Sequence, residues 1–280
     1  MSDCINKREI MVNSMQRSAH HAFIMELLGS TDRHCFLNCI SDSSLFRRKF
    51  IQSNPEKRFI NDLNLNLDDE ITGNLTPKEL LVYSVEMLLT DKALDIFHDE
   101  KTKKSAGKSA SRFYVTWLRD PINNLASHFN RAKKNAARTG DASSMKIEEN
   151  EKLKAATEVW VDHWQQVKSQ DAGIGIVANL WWRDDEYRTQ IFEKLGLAVP
   201  HRNLKMTQWG GGSSFEGYHV DQAAPSIEDL ESRYELYLDD EDFLAIFRDP
   251  EFRNAVEDFF SSFPELGNLS SVWNEIKQNS

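Results

Sequence analysis

The chain of 280 residues carries 34 basic and 44 acidic side chains, which gives a net charge of −10 at pH 7. This balance argues against a dedicated binder of nucleic acids or anionic membranes, and 40% hydrophobic residues exclude a disordered chain. Three cysteines are too few for a disulfide framework. The length favours one large domain, and no secretory signal or membrane span is predicted, so we expect a cytoplasmic protein.

The charge is unevenly distributed along the chain. Between Lys101 and Arg138 there are ten basic residues and one acid, whereas residues 226–280 hold 14 acids and four bases. A basic segment within an acidic protein indicates a local anion site instead of a general affinity for polyanions. The Ser/Gly/Lys-rich stretch Lys101–Lys108 is typical of a solvated loop, but Arg119 directly follows an apolar strand and does not fit that explanation.

The predicted elements alternate between strands and helices. Apolar runs predict strands at Glu9–Asn13, Cys35–Ile40, Leu94–His98, Phe113–Leu118 and Ile174–Leu180. Helical patterns and capping residues predict helices at Ala22–Leu28, Pro77–Leu89, Pro121–Arg138, Ile147–Lys168 and Asp185–Leu195. The alternation predicts an α/β fold with a three-layer, doubly wound, mostly parallel sheet. We expect residues 1–225 to form this domain and residues 226–280 to be a helical extension of it.

The first strand-turn-helix unit, EIMVNSMQRSAHHAF, has features of an anion site. A loop between a buried strand and a helix N-terminus presents backbone N–H groups and the positive end of the helix dipole, and Arg17 adds a full charge. The loop lacks both glycines and the Lys-Ser/Thr pair of the ATP-type sequence GxxxxGK[ST], which disfavours a kinase-like phosphotransferase. Because an arginine in such a turn is also common on ordinary surfaces, this unit does not decide the function alone.

A second segment, RFYVTWLRDPINNLASHF, places Arg119 at a strand end and Ser127 eight residues later. Together the two segments resemble the sulfotransferase family. Its members carry an early strand-loop-helix that holds the 5′-phosphosulfate of 3′-phosphoadenosine-5′-phosphosulfate. They also carry a strand followed by Arg-(Asn/Asp)-Pro and a later Ser, which hold the 3′-phosphate. Arg17-Ser18 matches the first motif, and Arg119 with Ser127 matches the second at the family's spacing.

The resemblance covers roughly residues 8 to 217. It implies a P-loop-like fold and transfer of a sulfonate from this nucleotide to an acceptor hydroxyl or amine, with no metal required. Trp209–Gly217 (WGGGSSFEG) is similar to the late Gly-rich loop that closes over the nucleotide in this family. The positions that would bind the nucleotide are Arg17, Ser18, Ala19, His20, His21, Arg119, Ser127, Gly210, Gly211, Gly212, Ser213 and Ser214. Arg17 would also neutralise charge on the leaving oxygen.

The first loop departs from the family pattern, since Ala-His-His stands at positions 19–21 where the family has Gly-Thr-Thr. Alanine restricts the backbone angles, and the lost threonine hydroxyls are phosphate donors that the histidine N–H groups could partly replace. The histidines could instead indicate a metal site with His34, Cys35 and Cys39, although that spacing matches no standard zinc pattern. The departure also motivates the alternative of a degenerate nucleotide-binding protein without chemistry.

Sulfonate transfer needs a base for the acceptor. In the cytosolic branch of the family this base is a histidine at a strand end that precedes the 3′-phosphate arginine. His98 stands 21 residues before Arg119 at a predicted strand end, so the resemblance assigns it this role. Asp99 and Glu100 are the alternatives, because other branches use a carboxylate. The sequence carries no signature of the acceptor or of the oligomeric state.

Overall fold

The computed structural model describes residues 6–40, 78–200 and 226–280 of the chain. Within these ranges five strands form one parallel sheet: β1 (Asn6–Ser14), β2 (His34–Leu37), β3 (Lys78–Glu86), β4 (Ser109–Leu118) and β5 (Ile174–Val177). Their spatial order is β2-β3-β1-β4-β5, so β2 forms one edge, β3 lies between β2 and β1, and β4 and β5 then extend the sheet on the other side of β1. This is a doubly wound sheet, as predicted, and its order reverses between β1 and β4.

The described helices pack around this sheet. They are α1 (His20–Gly29), α2 (Thr90–His98), α3 (Glu100–Ala106), α4 (Pro121–Thr139), α5 (Glu151–Ser169), α6 (Ala178–Arg183), α7 (Asp185–Lys194), α8 (Ile227–Glu231), α9 (Glu241–Ala245), α10 (Pro250–Ser262) and α11 (Gly267–Asn279). None of the helices in the described ranges combines the length and the apolar character that crossing a bilayer requires.

Both faces of the sheet are covered, which gives three layers. On one face, Ile10, Val12 and Trp117 pack in a buried cluster with Phe23 of α1 and Phe192 of α7. The alternate residues of the same strands point to the other face, where a second buried cluster joins the sheet to α2 and α3. A sheet buried on both faces explains why its strands read as nearly continuous apolar runs.

The C-terminal helices pack on the same side as α4 and α5. Trp160 of α5 contacts Phe252 and Phe259 of α10 edge to face, with ring centroids 5.6 and 5.5 Å apart. Phe247 contacts Trp273 of α11 in the same cluster. The helical character predicted for residues 226–280 is confirmed within this described range, and these helices bury their aromatic side chains against α4 and α5.

Two predicted elements are wrong in type. The segment predicted as a helix from Pro77 to Leu89 contains the interior strand β3, because a short apolar run cannot be distinguished from a buried helix by its pattern alone. The segment Leu94–His98, predicted as a strand, is the second half of helix α2. Ala93 and Phe97, one helical turn apart, are its buried apolar residues, whereas Asp91, Lys92 and Asp95 are exposed.

The fifth predicted strand is shorter than expected. Strand β5 ends at Val177, and helix α6 begins at once with Ala178, so Asn179 and Leu180 are helical. Helix α4 begins and ends as its sequence predicts: Asp120 caps its first turn, Pro121 is its first residue, and Gly140 closes it in the left-handed conformation. These ends fix which side chains reach the carboxyl edge of the sheet, which we define by Ser14, Glu86, Leu118 and Val177.

Candidate functional site

The loop from Met15 to Ala19 connects β1 to α1 at the carboxyl edge. Arg17 and Ala19 both adopt left-handed backbone angles, with φ of 65° and 58°. Alanine therefore does occupy the conformation that glycine would favour, at the steric cost that its Cβ imposes. Ala19 is the N-cap of α1 and gives no side-chain cap to the first-turn N–H groups. The positive end of the α1 dipole is thus available to an anion bound at the loop.

Side chains from β4 and α4 hold the loop through its carbonyl oxygens. Trp117 Nε1 donates to the carbonyl of Ser18 at 2.9 Å, and Arg119 Nη1 donates to the carbonyl of Arg17 at 3.2 Å. Asn124 Nδ2 lies 3.2 Å from the carbonyl of Gln16. These hydrogen bonds hold Arg17 and Ala19 in their left-handed conformations. Strained backbone angles persist in a folded protein where the surrounding structure fixes them in this way.

His128 also binds the loop, because its Nε2 lies 3.0 Å from the same Gln16 carbonyl. A carbonyl only accepts, so Nε2 carries the proton in this contact. Burial and the charges of Arg17 and Arg131 lower the pKa of His128, the hydrogen bond to Gln16 raises it, and the result is a pKa of about 4. His128 is therefore neutral at pH 7 and acts as a hydrogen-bond donor to the loop.

Arg119 is buried where β4 meets α4, with 1% of its surface exposed. Its Nη2 donates to the carbonyl of Leu230, and its Nε lies 3.8 Å from Asp120 and has no hydrogen-bond partner among the described residues. Burial and the nearby Arg233 guanidinium lower the pKa of Arg119, Asp120 and Glu231 raise it, and the result is a pKa of about 9. Neutral carbonyls bind this arginine, and the Asp120 carboxylate and a second cation lie near it.

Arg233 lies near both Ser127 and Arg119. Ser127 is fully buried, its Oγ donates to the carbonyl of Asn123 at 3.0 Å, and Arg233 Nη1 lies 3.4 Å from that Oγ. The two residues that the sequence paired, Arg119 and Ser127, thus have Arg233 as a common neighbour. Arg233 escaped the sequence analysis because no pattern links residues that are 106 positions apart.

A buried polar network docks α8 over these residues. Asn179 Nδ2 donates to Asp120 Oδ2 at 3.0 Å and to Glu231 Oε1 at 2.9 Å, and Arg183 pairs with the same Glu231 carboxylate. Asn123 Nδ2 donates to the carbonyl of Glu231 at 3.0 Å. Helix α8 is therefore held by hydrogen bonds and covers Arg119.

Arg17 lies on the other side of the loop, half buried. Burial lowers its pKa, the Arg131 guanidinium lowers it further, and the Glu86 carboxylate raises it. Arg17 therefore lies near the Arg131 guanidinium of α4 and the Glu86 carboxylate at the end of β3. Glu86 was missed at the sequence level because its segment was predicted as a helix, whereas a strand-terminal acid would have drawn attention.

His20 and His21 open helix α1 beside Glu86. His20 Nε2 lies 3.3 Å from Glu86 Oε1, and the two imidazole rings are 4.1 Å apart. Burial and the neighbouring His20 lower the pKa of His21, Glu86 and Asn38 raise it, and the result is a pKa of about 3. One nitrogen from each histidine and one oxygen from Glu86 lie within 4.8 Å of one another, and the described part of the chain holds no other three-residue group of this kind. His34, Cys35 and Cys39 do not belong to it.

The predicted site residues fall into three groups. The structure brings residues 17–21 together with Arg119 and Ser127 at the carboxyl edge. Gly210, Gly211, Gly212, Ser213 and Ser214 lie outside the described residues. His98, Asp99 and Glu100 lie at the far end of α2 and the start of α3.

The position of His98 differs from the predicted strand end. Helix α2 starts near the carboxyl edge and runs back along the sheet, so that its Phe97 lies beside Arg112, the register partner of Glu9. Asp99 caps α3 by accepting from the Thr102 N–H at 2.8 Å, which lowers the pKa of its carboxyl. Glu100 pairs with Lys103 on the surface. The structure does not bring these three residues together with Arg17 and Arg119.

Comparisons with known proteins give similarity at the level of structure. No family model and no curated protein matches the chain. The chain is similar to the sulfotransferase domain of the Synechococcus PCC 7002 olefin synthase, with 13% identity, a TM-score of 0.45, and coverage of 92% of this chain and 96% of that domain. A sulfotransferase domain from the curacin biosynthetic pathway gives the same identity and TM-score over 89% and 96% of the two chains.

A third similar structure is the mouse sulfotransferase SULT7A1 complexed with PAP, with 13% identity and a TM-score of 0.38 over 97% of this chain and 89% of that one. The assignment of a function rests on the geometry of the carboxyl edge.

Proposed function

We propose that the carboxyl edge binds a 3′-phosphorylated adenine nucleotide and that the protein transfers a sulfonate from 3′-phosphoadenosine-5′-phosphosulfate to an acceptor hydroxyl or amine. The observation that carries this proposal is a buried place in which Arg233 approaches the Ser127 hydroxyl and also lies near Arg119. Two guanidinium groups beside one hydroxyl form a donor set suited to a dianionic phosphate, which charge-assisted hydrogen bonds bind strongly. We assign this group of three residues to the 3′-phosphate.

The β1–α1 loop would bind the other end of the nucleotide. It offers Arg17 and the uncapped first turn of α1, the usual means by which a helix N-terminus binds phosphate or sulfate. Positive charge near the oxygen that leaves sulfur stabilises a transition state in which negative charge develops there. Arg17 is the cation on this loop, and we assign it to the phosphosulfate.

Access to Arg119 requires a movement of α8. Leu230 and Glu231 lie over the arginine, and one guanidinium nitrogen is bound by the Leu230 carbonyl. A phosphate that contacts Arg119 directly would replace that carbonyl as the acceptor. We therefore expect nucleotide binding to displace α8 or to pull Arg119 toward Ser127.

A group at the carboxyl edge would accept the proton of the acceptor. His20, His21 and Glu86 lie there, on the same loop and strand end as the proposed phosphosulfate site. Proton transfer needs the base within hydrogen-bond reach of the acceptor. Glu86 and its histidine neighbours therefore take the place that the sequence assigned to His98.

Binding of 3′-phosphoadenosine-5′-phosphate tests the proposal directly. At a hundred times its dissociation constant a ligand stabilises a protein by about 2.7 kcal/mol, and each kcal/mol moves the melting temperature by roughly 2–4 °C for large domains. We expect a shift of several degrees with this nucleotide and little with AMP, which lacks the 3′-phosphate. Equal shifts with AMP would remove the 3′-phosphate assignment. Binding without transfer to any acceptor in an acceptor screen would favour the degenerate nucleotide-binding protein.

A further inference from the structure

The pair of histidines that opens α1 faces the end of β3. Ser14 of β1 is the register partner of Glu86, so the loop that follows β1 and the last residue of β3 are held next to each other. His20 has 3% of its surface exposed, and its Nε2 has no hydrogen-bond partner within the described ranges although Glu86 Oε1 is 3.3 Å away. A buried imidazole nitrogen thus faces a carboxylate oxygen.

The tautomer of His20 follows from Ser18. The Ser18 hydroxyl donates its single proton to the carbonyl of Met15 at 2.7 Å. It can then only accept from His20 Nδ1, which lies 3.4 Å away, so Nδ1 carries a proton. In the neutral ring the lone pair is on Nε2. It faces the Glu86 carboxylate, and no proton lies between the nitrogen and the carboxylate oxygen.

The tautomer of His21 follows from Asn38. His21 Nε2 lies 3.3 Å from Asn38 Oδ1, an amide oxygen that also accepts from the Ser84 hydroxyl at 3.0 Å. An amide oxygen only accepts, so His21 Nε2 donates and the lone pair of this ring is on Nδ1. Each histidine therefore has one nitrogen fixed by an outer partner, the arrangement that orients metal-binding histidines in proteins.

We propose that His20, His21 and Glu86 bind one divalent transition-metal ion, with Zn²⁺ favoured by the ligand types. Two imidazoles and one carboxylate are a ligand set that zinc uses in sites that keep a further position open. Neighbouring ligands of a tetrahedral ion at about 2.0–2.1 Å are about 3.3 Å apart. The separation of His20 Nε2 from Glu86 Oε1 has this value, and all three ligand atoms lie within 4.8 Å of one another.

The ion would add to the chemistry of the proposed sulfonate transfer, and this part of the inference rests on that proposed function. The ligands lie on the loop that carries Arg17 and at the strand end next to it. A bound ion lowers the pKa of a hydroxyl that enters its open position, so that the proton of the acceptor would pass to solvent water. Glu86 would then be a ligand of the ion instead of the base that it offers in the ion-free site. The inference replaces the sequence expectation of a reaction that needs no metal.

Metal binding is tested with the tag-free full chain, because a histidine tag would itself bind zinc. After removal of metals with a chelator, Zn²⁺ alone is titrated by calorimetry, and Co²⁺ is titrated by its visible absorption as a probe of geometry. We expect one ion per chain and the absorption of a four- or five-coordinate cobalt site. His20→Asn, His21→Asn and Glu86→Gln should each weaken binding at least a hundredfold, whereas His98→Ala, at the exposed end of α2, should leave it unchanged.

A second variant keeps the test valid if a ligand variant fails to fold. Asn38→Ser removes the outer partner of His21 and leaves all three ligands, so it should weaken zinc binding by about ten- to a hundredfold. No zinc binding by the wild-type chain, or equal binding by the wild type and by folded ligand variants, overturns the metal site. Binding of 3′-phosphoadenosine-5′-phosphate is measured on the same metal-free samples. Zinc binding without nucleotide binding contradicts the proposed function and leaves the metal site intact, and the reverse result contradicts only the metal site.

Discussion

Arg112 on strand β4 and Arg119, directly after that strand, show how differently one residue type is used at the two ends of the sheet. Arg112 donates from Nε and Nη2 to both oxygens of the buried Glu9 carboxylate, at 2.9 and 2.8 Å. Burial lowers the pKa of Arg112, but the hydrogen bonds and the charge of Glu9 outweigh it, so the pKa is raised. Arg119, seven residues later, is bound by carbonyls, lies near Arg233, and has its pKa lowered to about 9.

The contrast separates a structural arginine from an arginine suited to a ligand. Glu9 also accepts from Tyr83 and Ser109, so the amino half of the sheet contains a complete ion-pair network. At the carboxyl edge the positive charges of Arg119 and Arg233 are repulsive toward each other, and a bound anion would relieve that repulsion. Perturbed groups of this kind cluster at functional sites because such sites are built for a partner that is absent from the free protein.

Replacement of Arg112 should have the largest effect on stability. Arg112→Ala leaves the buried Glu9 carboxylate without its cation, and breaking a buried pair typically costs about 3–5 kcal/mol. We expect a loss of about 3 kcal/mol in the free energy of unfolding, since Tyr83 and Ser109 still donate to Glu9. Urea unfolding measures it, and Arg112→Lys should recover part of the loss. If folded Arg112→Ala also loses nucleotide affinity, the two ends of β4 are not functionally distinct.

Replacement of Arg119 should act on binding more than on folding. Arg119→Ala removes a charge-assisted partner of the 3′-phosphate, a group present before and after transfer, so both nucleotide forms should bind about 1.5–3 kcal/mol more weakly. Arg17→Ala should instead depress turnover more than affinity, because its charge is needed as the bond to sulfur breaks. Calorimetry and slow hydrolysis of the sulfate donor distinguish the two effects. Unchanged turnover in Arg17→Ala would show that the β1–α1 loop is not the sulfonate site.

Acid should weaken the carboxyl edge before it denatures the whole fold. The pKa of His128 is about 4 in the folded chain against an ordinary value of 6.5, so the unfolded chain binds the proton first. The stabilisation is complete above about pH 6.5 and is lost as the pH falls toward 4. Because His128 is only partly buried, we expect its share to be about 1–3 kcal/mol.

His128→Gln provides the comparison, since glutamine can donate to the Gln16 carbonyl and does not titrate. Urea unfolding of the two proteins at about pH 7.5 and about pH 4.5 gives the pH dependence of each. The variant should lose less stability between these values than the wild type. Identical losses would show that the proton does not act through the contact of His128 with the loop.

The sequence predicted the secondary-structure elements around the site better than the residues that form it. Local sequence signals predicted the alternation of elements, the end of β4 at Leu118 and the Asp120 cap. Apolar runs, capping residues and prolines act on neighbouring residues, so their effects can be predicted without the tertiary structure. Glu86 was hidden since β3 is buried on both faces and its apolar run fits a helix as well as a strand. Arg233 was hidden because its place depends on how α8 docks on Asn179 and Arg183, which tertiary contacts alone decide.

Replacement of His98 should have the smallest effect of these substitutions. It is also the most direct test of which residue is the base. A general base contributes about a hundredfold to ten-thousandfold in rate, so the sequence-level assignment predicts a loss of that size in His98→Ala. The structure places His98 at the exposed end of α2, beside the half of the sheet that holds Arg112 and Glu9. Surface substitutions away from a site usually change stability by less than about 0.5 kcal/mol. We therefore expect His98→Ala to keep turnover, nucleotide affinity and melting temperature, with turnover measured by hydrolysis of the sulfate donor or with an identified acceptor. A hundredfold loss of turnover with unchanged affinity would return the base to α2, and α2 would then have to move to the carboxyl edge during the reaction.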